Sequence, residues 1–238
     1  MARSPRVVKL GPVRLPVVLA ALIAIIVTAS IAGAVAAHNG WPRLLNSGLL
    51  SVPAVWRGQP WRLLTFALLE TDPLSLILSC LMLYWWGGDL VVLWGERRFV
   101  TRFFALAAAS GAVTCLLGRS WTQLATMAFA GAGPVVDGLI VAWGLLFPAR
   151  EIRLFGMARL TGRQLVAIAV GVTVLFAVFE GFAGFVPHLA AEALVLLWLG
   201  LLRPWRSGRR RRRTELAARG EAWSFTRWYE RERRRRPR

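Results

Sequence analysis

With 238 residues, 56% of them hydrophobic and 18% charged, the chain is too apolar for an ordinary water-soluble domain, in which apolar residues make up roughly 45–50% and charged ones roughly 25%. Lys and Arg number 30 against 12 Asp and Glu, a net charge of +18 that taken alone points to nucleic acid or anionic lipid. Position separates the two signals: the last 36 residues hold 15 Arg and 4 Glu and so carry 11 of the 18 charges, leaving an apolar body that belongs in a lipid bilayer.

Crossing about 30 Å of hydrocarbon takes roughly 20 apolar residues at 1.5 Å rise each, and six stretches approach that length. After a short N-terminal segment, 1–12, the first span is predicted over 13–37. It is too long for a removable signal peptide and has no clean cleavage site, so it reads as a retained anchor. From 38 to 73 runs a semi-apolar segment carrying Trp41, Trp56 and Trp61, rings that prefer the headgroup level. This predicts a loop partly embedded at the interface. Further spans are predicted over 74–94, 99–118, 133–147, 165–182 and 185–202, that over 133–147 being short. Cys80 and Cys115 lie inside apolar runs and read as small buried hydrophobes, with no spacing for a disulfide or a metal knuckle.

Orientation follows from the basic residues, which favour the cytoplasmic side of short loops. Arg3, Arg6, Lys9 and Arg14 precede the first span. Arg97, Arg98 and Arg102 lie between the second and third, and Arg150, Arg153, Arg159 and Arg163 between the fourth and fifth. With six spans these segments and the Arg-rich tail share one side, so both termini are expected in the cytoplasm. A bacterial plasma membrane is the expected location.

The stretch WRLLTFALLETDPLSLILSCLMLYWWGG, 61–88, resembles the part of rhomboid intramembrane proteases that runs from the W-R motif of the first loop into the second helix. Trp61 and Arg62 match the W-R pair, Gly87 and Gly88 match small residues of that helix, and WGERRF at 94–99 matches the turn into the third. The resemblance covers roughly residues 13–203. It implies an all-α, six-helix membrane bundle with a partly embedded first loop, and a catalytic Ser and His dyad.

Carried over position by position, the dyad is incomplete. Where the nucleophile begins the short fourth helix, the sequence reads GAGPVVDG at 131–138, which puts Gly133 in its place. The base of the last helix is retained as His188, after Pro187. The oxyanion-stabilising positions of the second helix fall at Ser75 and Ser79, and the G-x-x-x-G that follows the base becomes Ala191 to Val195. A covalent mechanism needs a nucleophile beside its base, and glycine has none. The isolated AASGAV at 108–113 imitates a nucleophile box, but Ser110 sits in mid-helix and reads as a small packing residue whose hydroxyl bonds the preceding turn.

Acidic groups surround the vestigial site. Asp137 lies four residues after Gly133 on the same helix face, and His188 and Glu192 lie four apart on another. Ionisable groups cost about 2.5–3.5 kcal/mol each at a helix centre, so they face a cavity or one another. The family places an aromatic residue at the position of Asp137; an acid there predicts a hydrogen bond to His188. A metal or proton site built from Asp137, His188 and Glu192 is the sharper alternative, but a single His makes a poor ligand set. No cofactor and no metal are expected. Asp89 and Glu180 are less informative, Glu180 being expected at the outer interface.

The tail, 204–238, interleaves RRRRR at 209–213 with Leu216, Trp223, Phe225, Trp228 and Tyr229, and Thr214 and Glu215 are placed to start a short helix. Juxtamembrane Arg beside an anionic leaflet is worth about 1 kcal/mol each, so anionic lipid is a candidate partner. Nucleic acid is disfavoured because no folded nucleic-acid module accompanies the run. The combined expectation is a rhomboid-like pseudoprotease that binds transmembrane segments of other membrane proteins without cleaving them. Its rivals are an active intramembrane serine endopeptidase with a displaced site, and a membrane anchor whose basic tail binds anionic lipid or a cytoplasmic partner. A solute transporter predicts inverted repeats and interrupted helices, which the sequence does not display.

Overall fold

The computed structural model describes residues 7–10, 13–154 and 158–201. Strands β1 (Val7–Leu10) and β2 (Val13–Pro16) form an antiparallel hairpin that leads into helix α1 (Val17–His38). The first span is therefore shorter than the predicted 13–37 at its start. β-Branched Val7, Val8 and Val13 pair across the hairpin, and Pro16, in extended conformation, stands as the cap from which the helix begins.

The Trp-rich segment folds as α2 (Pro42–Gly48), β3 (Leu50–Ser51), α3 (Val52–Trp56) and α4 (Arg62–Thr65). Trp41, Trp56 and Trp61 are all exposed. The second span runs from Pro73 to Trp94 as α5 (Pro73–Met82), a π-helical turn Leu83–Gly87 and α6 (Gly88–Trp94). Helix α7 (Glu96–Leu117) follows, then α8 (Thr122–Thr126), β4 (Ala128–Phe129) and α9 (Gly133–Leu146). β3 and β4 pair antiparallel, Leu50 with Phe129, so the Trp-rich segment is stitched to the segment that enters α9. A hairpin of β5 (Glu151–Leu154) and β6 (Ala158–Thr161), not anticipated from the sequence, connects α9 to α10 (Gly162–Glu180). Gly181 at φ +105° then turns the chain into α11 (Phe182–Val195), which continues as a π-helical turn to Leu201.

Among the described residues five helices are long and apolar enough to cross a membrane: α1, the Pro73–Trp94 span, α7, α10 and the Phe182–Leu199 span. The remaining predicted span, the fourth, is α9, a shorter apolar helix of 14 residues, about 21 Å long at 1.5 Å per residue. It is also the most enclosed helix, with 11 of those residues buried. Neighbouring protein therefore covers most of its surface. α10 is its opposite: long and outward-facing, with Phe179 80% exposed. α10 meets α9 at its base, where a Cβ on Gly144 would lie 2.5 Å from the Gly162 carbonyl oxygen, so backbone approaches backbone there. The Arg-rich tail, with the lipid-binding expectation attached to it, lies outside the described residues.

Candidate functional site

Polar side chains converge where α9 begins. Gly131 adopts φ +109°, a conformation that glycine alone holds without strain, and donates its N–H to the Phe66 carbonyl at 2.9 Å. A Cβ there would lie 2.7 Å from Glu70 Oε2. The next residue, Ala132, donates its N–H to Glu70 Oε1 at 2.9 Å, and the Ser79 hydroxyl donates to the same oxygen at 2.7 Å. The backbone N–H of Glu70 bonds Ser30 Oγ at 2.9 Å, and Ser30 in turn donates to the Ile26 carbonyl. Glu70, only 7% exposed, thus ties three elements together, its carboxylate holding α5 and the start of α9 and its backbone N–H reaching α1. A helix N-terminus offers unpaired N–H groups and the positive end of the macrodipole, so an acidic group is favoured there.

Gly133 is the first residue of α9, as expected for the position that would hold a nucleophile. A Cβ on it would lie 2.9 Å from His188 Cε1 and 3.6 Å from Nε2. His188 stands not at the start of its helix but a turn and a half inside it, because α11 begins at Phe182 directly after the Gly181 corner. His188 Nδ1 and Asp137 Oδ2 are 2.7 Å apart, with about a quarter of each side chain exposed. Phe185, one turn earlier, packs against the imidazole with ring centroids 5.4 Å apart and stacks on Phe176 of α10 at 6.0 Å.

Gly133, Asp137 and His188 are therefore brought together. Glu192 bonds elsewhere: 2% exposed, one turn further along α11, it accepts the Thr173 hydroxyl of α10 on Oε1 at 2.8 Å, while Oε2 has no hydrogen-bond partner. The expected three-residue cluster resolves into a half-open pair and a tie between two helices. Among the described residues no group of three or more His, Cys, Asp or Glu is placed to hold a metal ion.

The two serines also part company. Ser79 is buried on Glu70, whereas Ser75 lies at the start of α5, where its N–H bonds Asp72 Oδ1 at 2.8 Å. Asp72 is the N-cap of that helix, and hydrogen bonds from the Ser75 side chain and then its backbone hold the Asp72 carboxyl below the usual carboxylate range. Ser110 is fully buried in mid-α7 and donates to the Ala107 carbonyl at 3.1 Å. Trp61 and Arg62 organise the loop. Arg62, 9% exposed, reaches Gln59 Oε1 at 2.7 Å, the Leu49 carbonyl at 2.6 Å and the Asn46 carbonyl, and Trp61 Nε1 bonds the Ser47 carbonyl at 3.3 Å. Burial, followed by neighbouring Arg57, lowers the Arg62 pKa from its ordinary value.

Two residues carry more of the architecture than their sequence context conveyed. Glu70 has no local motif in the sequence that marks it. Asp89, which looks uninformative there, is 5% exposed, accepts Trp143 Nε1 at 2.9 Å and pairs with Arg150 at 2.8 Å. The signal for both was the same: an acid inside or at the edge of an apolar run needs a partner.

Residues 17–236 match the family described as eukaryotic integral membrane protein, DUF1751. Among curated proteins none matches the chain. The family description agrees with a multi-pass membrane protein and, being eukaryotic, goes against the bacterial membrane expected from the sequence.

Proposed function

The chain belongs to this family of eukaryotic integral membrane proteins, and we propose that it has a rhomboid-like fold and engages transmembrane segments of other membrane proteins without cleaving them, its termini facing the cytoplasm. The observation that carries the reading is the contact at Gly133. A base oriented by an acid is present as His188 and Asp137, and the residue against the imidazole is one without a side chain. Acyl transfer by this logic needs nucleophile, base and orienting group together. The other hydroxyls of interest are engaged, Ser79 on Glu70 and Ser110 on its own helix.

The route for a transmembrane segment is along α10. Its outer face exposes Ile168, Val172, Phe176 and Phe179, and its tip half is joined to α11 through Thr173 with Glu192 and Phe176 with Phe185. Helices in lipid associate through packing and single interhelical hydrogen bonds of modest worth, so a second helix can compete for that face. The test uses the full chain in lipid bicelles with a photo-reactive residue at position 179 and, separately, a fluorophosphonate probe. Crosslinks that map to transmembrane segments of other proteins, with no fluorophosphonate labelling, support the reading. Crosslinks to lipid alone, or labelling that disappears in Ser110→Ala or Ser75→Ala, overturn it.

A further inference from the structure

Three consecutive residues at the start of α9 meet two different groups. Gly131 lies against Glu70 Oε2, Ala132 gives its N–H to Glu70 Oε1, and Gly133 abuts the His188 ring. The cradle around Oε1 consists of that backbone donor and the Ser79 hydroxyl, and Gly131, Ala132, Ser79 and Glu70 are all buried. Hydrogen-bond donors aimed at one oxygen, at the positive end of a helix dipole and out of water, are what stabilises an oxygen that develops negative charge during acyl or phosphoryl transfer. Here those donors already hold an anionic oxygen from the chain itself.

We infer that the start of α9 is a carboxylate-binding cradle whose resident ligand is Glu70, and that this internal ligand is a second barrier to catalysis, independent of the missing nucleophile. The inference rests on the reading of Gly133, His188 and Asp137 as a site that lacks only its nucleophile. It separates from that reading because it says something about position 70. A Cβ at position 133 lies 2.9 Å from His188 Cε1 and 3.6 Å from Nε2, so Gly133→Ser makes the imidazole give way slightly and sets its hydroxyl beside the base, yet leaves the neighbouring donors occupied.

The experiment follows labelling by a fluorophosphonate in detergent-purified full-length protein. The serine oxygen attacks phosphorus, the P–F bond breaks, fluoride leaves, and the hydroxyl proton passes to His188 Nε2 and on to solvent. Gly133→Ser is expected to label at background rate, and Gly133→Ser with Glu70→Ala to label at least about tenfold faster, since one such donor is worth roughly 100-fold or more. Adding His188→Ala should abolish the gain. Formate, a free carboxylate, should slow the double variant and raise the thermal midpoint of Glu70→Ala. If Glu70→Ala does not unfold cooperatively, Glu70→Asp, which withdraws the carboxylate from Ala132, takes its place with the same expectations. Equal labelling of the single and double variants, a folded double variant that stays unlabelled, or indifference to formate each overturns the inference. Labelling of the unaltered protein would instead overturn the non-cleaving reading.

Discussion

The two ends of α9 treat ionisable groups in opposite ways. At its C-terminal end Asp89 is 5% exposed, bonded to Trp143 and paired with Arg150, whose guanidinium lies 5.5 Å from the centroids of both Trp143 and Phe147. Charge, counter-charge and aromatic faces close on one another, and α6, α9 and the segment after it are fastened together. At the N-terminal end Glu70 rests on neutral donors, and the His188–Asp137 pair stays about a quarter exposed beside a glycine. The first arrangement has the partners that a buried charge requires. The second leaves a polar pair within reach of something from outside. The difference separates a fastening from a site, although both consist of acids on apolar helices.

The sharpest way to break this contrast is to remove the fastening. Asp89→Ala leaves Arg150 and the Trp143 N–H without their shared acceptor, and breaking a buried pair from one side costs about 3–5 kcal/mol. Unfolding of purified protein in mixed micelles should show that loss. Asp89→Asn, which retains an acceptor for Trp143, should lose less. Asp137→Ala, at a partly exposed pair, should cost about 1 kcal/mol or less. Equal losses for Asp89→Ala and Asp137→Ala would erase the distinction between the two ends.

Much of this contrast was present in the sequence at the level of single helices and absent at the level of pairs. Apolar runs gave the long helices to within a few residues, because bilayer thickness fixes helix length, and among the described residues five of the six predicted spans are long and apolar enough to cross a membrane. Asp137 and His188 were legible as partners because both stood at a site named by resemblance, Asp137 one turn after Gly133 and His188 at the retained base position. Glu192 looked like their third member because i and i+4 share a face, but that rule cannot say which neighbouring helix the face meets, and Thr173 of α10 claims it. Glu70 with Ala132, and Asp89 with Trp143, are 62 and 54 residues apart. Nothing local relates such positions. The hairpin at Val7–Pro16 was hidden for a different reason: Lys9 and Arg14 read as orientation charges, and the second strand, Val13–Pro16, merged with the apolar run that follows it.

A middle-sized effect tests the tie between α10 and α11. Thr173→Ala removes the donor to Glu192 Oε1 and leaves a 2%-exposed carboxyl without that partner, at a cost of about 1–2 kcal/mol for an unmet buried acceptor. Thr173→Ser, which restores the hydroxyl, should recover most of it. Unfolding in the same micelles checks both. If Ala and Ser variants are equally weakened, the lost methyl matters and the hydrogen bond does not.

The smallest effect lies beside the open end and depends on pH. Asp72 is the exposed N-cap of α5, and its bonds from Ser75 lower its carboxyl pKa in the folded protein. A folded pKa below the unfolded one means that the unfolded chain binds the proton more readily, so the stabilisation is fully present above the ordinary carboxylate pKa and is lost as pH falls through the lowered folded value. An N-cap aspartate is worth about 1 kcal/mol relative to alanine, and solvent screens the charge-dependent share of it. Asp72→Asn keeps an acceptor for the Ser75 N–H and cannot titrate. The gap in unfolding midpoint between the unaltered protein and Asp72→Asn should therefore be constant near neutrality and shrink in acid, while both remain above Asp72→Ala. A gap that widens in acid would mean that the carboxylate is not the capping form.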